Sequence, residues 1–184
     1  MDVLRHIALM ARYNAWMNDK LYMAAGTLSP EELARPRGAF FSSVLGTLNH
    51  ILVGDTLWLQ RLSTHPADHP ALDPVRQMER PAKLNQILHH DLDHLFDARK
   101  QLDAIIIVWT AELTHADLDH VLEYRNMKGV PHRKLYGTLV LNVFNHQTHH
   151  RGQATTVLFQ AGVDVGVTDL LALIPEEPLP DVAA

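Results

Sequence analysis

Four segments of this sequence repeat apolar residues at steps of three and four, the spacing that places side chains on one face of an α-helix. They predict four helices, over residues 3–25, 42–62, 81–113 and 136–161. Gly26 and Gly162 follow the first and last segments and favour helix ends there. Ser42 or Ser43 is a good N-cap for the second helix, and Pro81 suits the first turn of the third.

The period changes between the third and fourth helices. Residues 121–135 form two short alternating pieces around Lys128-Gly129, a pattern typical of a β-hairpin. The stretch from Ser63 to Pro81, which contains four prolines including Pro81, is predicted to be a loop, and residues 170–174 are predicted to form one short helical turn. We therefore predict an all-α fold, an up-down four-helix bundle with a small β-hairpin before the last helix. Residues 1–184 form a single domain, and its tail is irregular from position 175.

Composition excludes several classes of protein. The chain has thirteen His and no Cys, so disulfide scaffolds, thiolate zinc sites, iron–sulfur clusters and a Cys nucleophile are excluded. The net charge of -5, without a basic patch, argues against nucleic-acid binding. The longest apolar run, Ala104 to Trp109, is far shorter than the roughly 20 residues of a membrane helix. The N-terminus lacks the pattern of a secretory signal, so we expect a cytoplasmic protein.

Two histidines of the last helix, His146 and His150, are the first candidates for chemistry. Four residues turn a helix through about 400°, so both side chains point the same way, on a face shared with Leu139 and Val143. Two imidazoles on adjacent turns can bind one transition metal, and the alternative is a pair of hydrogen-bonded core histidines. His149 points about 60° away from His146, which favours a supporting role.

His50 is the candidate for a third ligand, because no other His lies in the second helix. It shares a stripe with Gly46, Val53 and Gly54, and glycines allow another backbone or a ligand to approach closely. The alternative is a histidine that is hydrogen-bonded in the core. A second apolar stripe runs along the opposite side of this helix, which predicts a helix enclosed within the bundle or between two subunits.

Other histidines are weaker candidates for metal ligands. Those between His89 and His94 are typical of a solvated helix face, and His65 and His69 lie in the proline-rich loop, where no helix aligns them. The metalloprotease signature HExxH requires Glu after the first His, and Gln147 stands there. We therefore do not expect proteolysis by that mechanism.

Ligating histidines usually donate their second ring N–H to a polar partner. The candidates for such partners, or for groups that orient a substrate, are Asn14, Asn18, Asp55, Asp91, His149, Arg151 and Gln153. Asp91 is a carboxylate in an otherwise apolar stripe, although a helix-end charge at the surface is an equally good interpretation. Arg151 could bind an anionic substrate or form a salt bridge.

Three stretches of the chain resemble one known family. They are ARYNAWMN at 11–18 with Leu21-Tyr22, GTLNHILVGD at 46–55 followed by Trp58, and NHQTHHRGQ at 145–153 followed by QAGV at 160–163. Together they are similar to the DinB-like, damage-inducible family of metal-binding four-helix bundles, over most of the chain. The resemblance implies three His ligands at the positions of His50, His146 and His150, and a homodimer packed through helices.

Three neutral imidazoles leave coordination positions open, where a metal ion can acidify a bound water or thiol. Imidazole suits zinc and nickel, our first choices for one divalent ion per chain, and iron, manganese and copper are alternatives. The resemblance implies a metal-dependent transferase, or a hydrolase-like enzyme, that acts with a low-molecular-weight thiol. The cosubstrate would supply the nucleophile that a Cys-free chain lacks. The alternative is a non-catalytic, DNA-damage-inducible metal-binding dimer.

Overall fold

The computed structural model describes residues 2–177. Four long helices account for most of it: α1 (Val3–Ala25), α3 (Val44–Leu62), α5 (Leu92–Glu112) and α7 (Tyr136–Gln160). Three short helices lie between them: α2 (Pro30–Ala34), α4 (Asp73–Gln77) and α6 (His115–Leu118). The strands β1 (Val121–Arg125) and β2 (Pro131–Leu135) precede α7, and 3-10 turns cover Pro70–Leu72 and Leu170–Leu173. The chain is therefore mostly helical with one small sheet.

Side-chain caps fix where the long helices begin. Asp2 accepts from the Leu4 N–H at the start of α1, and Ser43 accepts from the Gly46 N–H at the start of α3. Asp91 accepts from the His94 N–H at 3.0 Å and starts α5. Each cap satisfies a backbone donor that has no partner inside the helix, which stabilises that end by about 1 kcal/mol.

The predicted third helix is wrong over its first eleven residues, because α5 begins at Leu92 and not at Pro81. Leu84 and Leu88 match the helical spacing, but the backbone around them forms hydrogen bonds with side chains of α3 instead of within a helix. Asn49 accepts from the Leu88 and His89 N–H groups, and the Leu84 carbonyl accepts from a side chain of α3. Residues 81–91 are thus an irregular segment that covers α3.

The predictions for the hairpin, the loop and the tail differ in how well they agree with the structure. The hairpin is confirmed, with antiparallel pairs from Val121↔Leu135 to Arg125↔Pro131. The predicted loop contains α4 and a 3-10 turn, and α2 and α6 were missed because four or five residues are too few to show a period. The predicted irregular tail is described only as far as residue 177, and Pro178 and Pro180 lie outside the described residues.

The core forms around α3, which is buried without interruption from Ser43 to Leu57. It packs against α2, α4, α5 and α7, and α1 packs against α5 and α7. The two apolar stripes of α3 are therefore both covered within one chain. Among residues 2–177, no helix combines the length and the apolar character that a bilayer crossing requires.

A buried polar network joins the four long helices. Arg99 of α5 lies between two carboxylates, at 2.5 Å from Asp55 of α3 and 2.8 Å from Asp103 of its own helix. Asn14 and Asn18 of α1 both donate to Asp103, at 2.8 Å and 3.0 Å. Charges this deeply buried are tolerated only when they are paired and hydrogen-bonded.

Helix α7 joins the same network through two residues one turn apart. Gln147 donates to Asp55 at 2.7 Å, and Arg151 donates to the side-chain oxygen of Asn14. The ring of Tyr13 covers the Arg151 guanidinium, and burial lowers the pKa of Arg151 to about 10. Two arginines and two aspartates thus balance in charge at the centre of the molecule.

We expect Asp103→Ala to lower the free energy of unfolding by about 3–5 kcal/mol, because it leaves Arg99 buried beside a lost partner. Asp97→Ala on the same helix is the matched control, since Asp97 is exposed and pairs only with Lys100 at the surface. That change should cost less than about 1 kcal/mol. Urea denaturation of both variants checks the difference, and equal losses would refute the structural importance of the network.

Candidate metal centre

Three histidines converge between α3 and α7. His50 comes from α3, and His146 and His150 come from adjacent turns of α7. One potential ligand nitrogen from each ring lies within 4.8 Å of the other two. His50 and His150 are buried and His146 is half-buried. The structure thus brings together the three residues that the sequence singled out.

The hydrogen bonds of two rings fix which nitrogen is free. The Nδ1 of His50 lies 2.8 Å from the Leu84 carbonyl oxygen, which can only accept, so Nδ1 carries the proton. The Nδ1 of His150 lies 2.8 Å from Oε1 of Gln153 and donates in the same way. The Nε2 atom of each neutral ring therefore holds a lone pair.

These two Nε2 atoms face each other at 3.1 Å. Two lone pairs cannot form a hydrogen bond, so this approach is favourable only with a cation between them. Two nitrogens at about 2.0–2.1 Å from a tetrahedral ion would be about 3.3 Å apart, close to the observed separation. The geometry fits a metal ion held by Nε2 of both rings.

Glycine is required where α3 meets His146. A Cβ atom on Gly54 would lie 2.5 Å from Cε1 of His146, closer than real atoms pack. The Nδ1 atom of His146 is buried and has no hydrogen-bond partner within the described part of the chain. His146 thus offers one nitrogen to the cluster, and its buried Nδ1 is an unsatisfied polar atom of the kind that a ligand can satisfy.

Phe41 packs against the cluster. Its ring stacks on His50 with centroids 3.6 Å apart, and it lies at a steep angle to the ring of His150, with centroids 5.5 Å apart. Gly46 makes room for the segment before α3, because a Cβ there would lie 2.1 Å from the Phe41 carbonyl oxygen. The glycines of the His50 stripe therefore serve close packing, as the sequence suggested.

Burial keeps the three rings neutral. Burial, together with a smaller effect of the neighbouring imidazoles, lowers the pKa of His50 and of His146 to about 4 each. Burial lowers the pKa of His150 as well, which the hydrogen bond to Gln153 opposes. Neutral imidazole is the form that coordinates metals, so at neutral pH no proton has to leave the cluster first.

The seven predicted supporting residues divide into three groups. Gln153 holds His150 and also contacts Nε2 of His149 at 3.2 Å, so both lie beside the cluster. Asp91 caps α5 at the surface, the alternative that the sequence allowed. The remaining four make their hydrogen bonds within the buried polar network: Asn14, Asn18, Asp55 and Arg151.

Sequence reasoning missed two parts of the site. The Leu84 carbonyl is a backbone group in the segment that was predicted to be helical, where it would have been occupied. Phe41 precedes α3, and no periodic pattern connects it with His50. A helix-breaking signal between Pro81 and Asp91 would have been needed to find the first of these.

A cavity of about 440 Å³ opens next to the cluster. His149, Gly152 and Gln153 of α7 form one wall, and Arg37 to Phe40 form the other. Gln153 therefore connects the cavity with the ring of His150. The volume suits a small molecule.

Comparisons with known proteins agree with this description. The sequence model of the DinB family matches residues 2–178. Protein DinB of Bacillus subtilis (strain 168) is 26% identical over 157 residues, which cover 85% of this chain and 87% of that protein. The crystal structure of a DinB-like protein from Bacillus cereus ATCC 10987 has the same fold, with a TM-score of 0.56 and 21% identity. That comparison covers 82% of this chain and 89% of the other.

The low pKa of His146 predicts that the metal-free protein loses stability in acid. Its unfolded-state pKa is about 6.5, so between pH 7 and pH 5 the unfolded chain takes up a proton that the folded chain refuses. Unfolding is thereby favoured, by about 1 kcal/mol at pH 5 after allowance for partial exposure. Urea denaturation in the presence of a chelator measures this. The loss should be smaller in His146→Gln, and an unchanged loss would contradict the assignment.

We expect Gly54→Ala to weaken the binding of Zn²⁺ or Co²⁺ at least about tenfold, because the new methyl group displaces His146. Gly152→Ala is the matched control, since a Cβ there meets no atom within 4 Å. It should leave the affinity unchanged and slightly stabilise α7. Isothermal titration compares the two variants, and wild-type affinity in Gly54→Ala would contradict this view of the site.

Proposed function

This chain belongs to the DinB family, and we propose from that premise that His50, His146 and His150 bind one divalent transition-metal ion. The observation that carries the proposal is the pair of unprotonated Nε2 atoms of His50 and His150, 3.1 Å apart. The unpartnered nitrogen of His146 supports it. Each of the four long helices contacts at least two others, which supports the up-down bundle that forms the setting of the site.

Zinc and nickel are the ions that we propose first. The site offers three imidazole nitrogens and no thiolate, and this donor set does not separate them from iron, manganese or copper by affinity alone. Three protein ligands leave room for one or more exchangeable ligands. When bound, such an ion acidifies a coordinated water or thiol.

We propose that the site serves a transfer reaction in which a low-molecular-weight thiol attacks an electrophile. The chain contains no Cys, so the sulfur nucleophile must come from a cosubstrate. The adjoining cavity would hold this molecule against Gln153 and His149. Arg37, in the opposite wall, is already paired with Glu32 at 2.5 Å, so a carboxylate of the thiol would have to share its guanidinium with Glu32.

Arg151 takes no part in substrate binding in this proposal. The residue is 2% exposed, and its guanidinium donates to Asn14 and lies over Tyr13. Gln153, by contrast, acts on both sides: it fixes the proton of His150 on Nδ1 and reaches the cavity. Phe41 limits the access of water from the other side of His50.

A second function is favoured by the burial of the cluster. His50 and His150 are only 3% and 9% exposed, and they join α3 to α7, so a bound ion would also stabilise the fold. A non-catalytic metal-binding stress protein would need nothing more. Under both functions we propose a homodimer, in line with the family resemblance.

One preparation of tag-free protein separates these functions. We expect elemental analysis to show one more equivalent of metal in wild type than in His146→Gln. Conjugation of a thiol to an electrophile should require both metal and thiol, and light scattering should give twice the chain mass. His94→Gln is the control for removal of an imidazole, because His94 is exposed on α5.

The outcomes are distinct. Bound metal without turnover, across the common bacterial thiols and a panel of electrophiles, would refute the transferase and leave the stress protein. Equal metal contents in wild type and His146→Gln would refute both functions, since both depend on the same three ligands.

A further inference from the structure

A second group of metal-ligand side chains lies beyond the C-terminal end of α3. His65 follows that helix, His69 precedes the 3-10 turn at Pro70–Leu72, and Asp117 belongs to α6. One ligand atom of each lies within 4.8 Å of the other two, as in the first cluster. Their exposures are 6%, 5% and 8%, so this group is more enclosed than the triad of His50, His146 and His150.

Two ring nitrogens in this group are left without partners. The Nε2 atoms of His65 and His69 are both buried, and neither has a hydrogen-bond partner of good geometry among the described residues. The backbone of Asp117 is only a weak partner of the His65 ring, and it opposes the lowering of the His65 pKa by burial. Nε2 of His69 lies 3.9 Å from Oδ2 of Asp117, too far for a hydrogen bond. Buried polar atoms are normally satisfied, so two orphans that share one carboxylate indicate a ligand.

The carboxylates around the group are already positioned. Oδ2 of Asp117 accepts from the N–H and the hydroxyl of Thr114, each at 2.8 Å, in a capping box that starts α6. Glu112 approaches the other side of the His69 ring, with 3.8 Å between its Oε2 and Nδ1. This distance is too long for a hydrogen bond, and Glu112 accepts from the Ala71 N–H, so Glu112 contributes negative charge beside the His69 ring.

We propose that His65, His69 and Asp117 form a second site for a divalent transition-metal ion, with zinc as the best match. Two imidazoles and one carboxylate are an established donor set for zinc. The ring of His120 packs beside the site, with its centroid 4.6 Å from that of His65. The site ties the segment after α3 to α6, so its role is structural.

His65 makes this site weaker than the triad. The Ala67 N–H donates to Nδ1 of His65 at 3.0 Å, so the proton of the neutral ring sits on Nε2. Coordination through Nε2 must move this proton to Nδ1 and displaces the Ala67 hydrogen bond. The triad needs no such change, so limiting metal fills the triad first.

The test starts from tag-free full-length protein in which His50→Gln and His146→Gln remove the triad. We expect this background to bind one equivalent of Zn²⁺ or Co²⁺ and to melt at a higher temperature with metal than with chelator. Adding His69→Gln should abolish both effects, whereas adding His94→Gln, on the exposed face of α5, should leave them intact. A background that binds no metal overturns the proposal.

Asp117→Asn gives a second variant that should fold, because the amide oxygen can still accept from Thr114. We expect it to weaken Co²⁺ binding at least about tenfold and to change the visible spectrum of the bound cobalt. Full affinity and an unchanged spectrum would overturn the proposal. Failure of the triad is read separately, since it would make wild type and the background bind equal amounts of metal.

Discussion

The pairing of Arg99 with Asp55 and Asp103 is the interaction on which the arrangement of the helices depends. A buried guanidinium without its carboxylates costs several kcal/mol, so any rotation or sliding of α3 or α5 that breaks these contacts is disfavoured. Gln147 and Arg151 tie α7 to the same charges and to α1. The network therefore selects one relative arrangement of the four helices. Packing of their apolar stripes alone would allow several arrangements.

The same arrangement of α7 also positions the two histidines of that helix that we propose as metal ligands. His146 and His150 precede Gln147 and Arg151 by one residue each, which rotates the two rows by about 100° around the helix axis. When Gln147 and Arg151 contact the buried network, His146 and His150 point toward α3. There they lie beside His50 and Gly54. The ligand geometry is thus fixed by protein contacts, which is what a preorganised metal site requires.

Periodic features of the sequence proved the most predictable. The spacing of His146 and His150 placed both rings on one face, and the long helices and the hairpin followed from their periods. One prediction failed where tertiary contacts override spacing: Leu84 lies in an irregular segment because its carbonyl binds His50. His65 and His69 lie in loop residues as predicted, but only the approach of α6 brings them to Asp117. No local pattern encodes a meeting of that kind.

Two histidines of the triad differ in the group that accepts the hydrogen bond from their Nδ1 atoms. The acceptor for His50 is a backbone carbonyl, which every residue at position 84 would supply, whereas the acceptor for His150 is the side chain of Gln153. A point mutation can therefore alter the basicity of one ligand and hardly that of the other. Exchange of the Gln153 amide for a carboxylate, for example, would make His150 a stronger electron donor. A substitution at position 153 would thus alter the acidity of an ion at the proposed site without changing the three ligand residues.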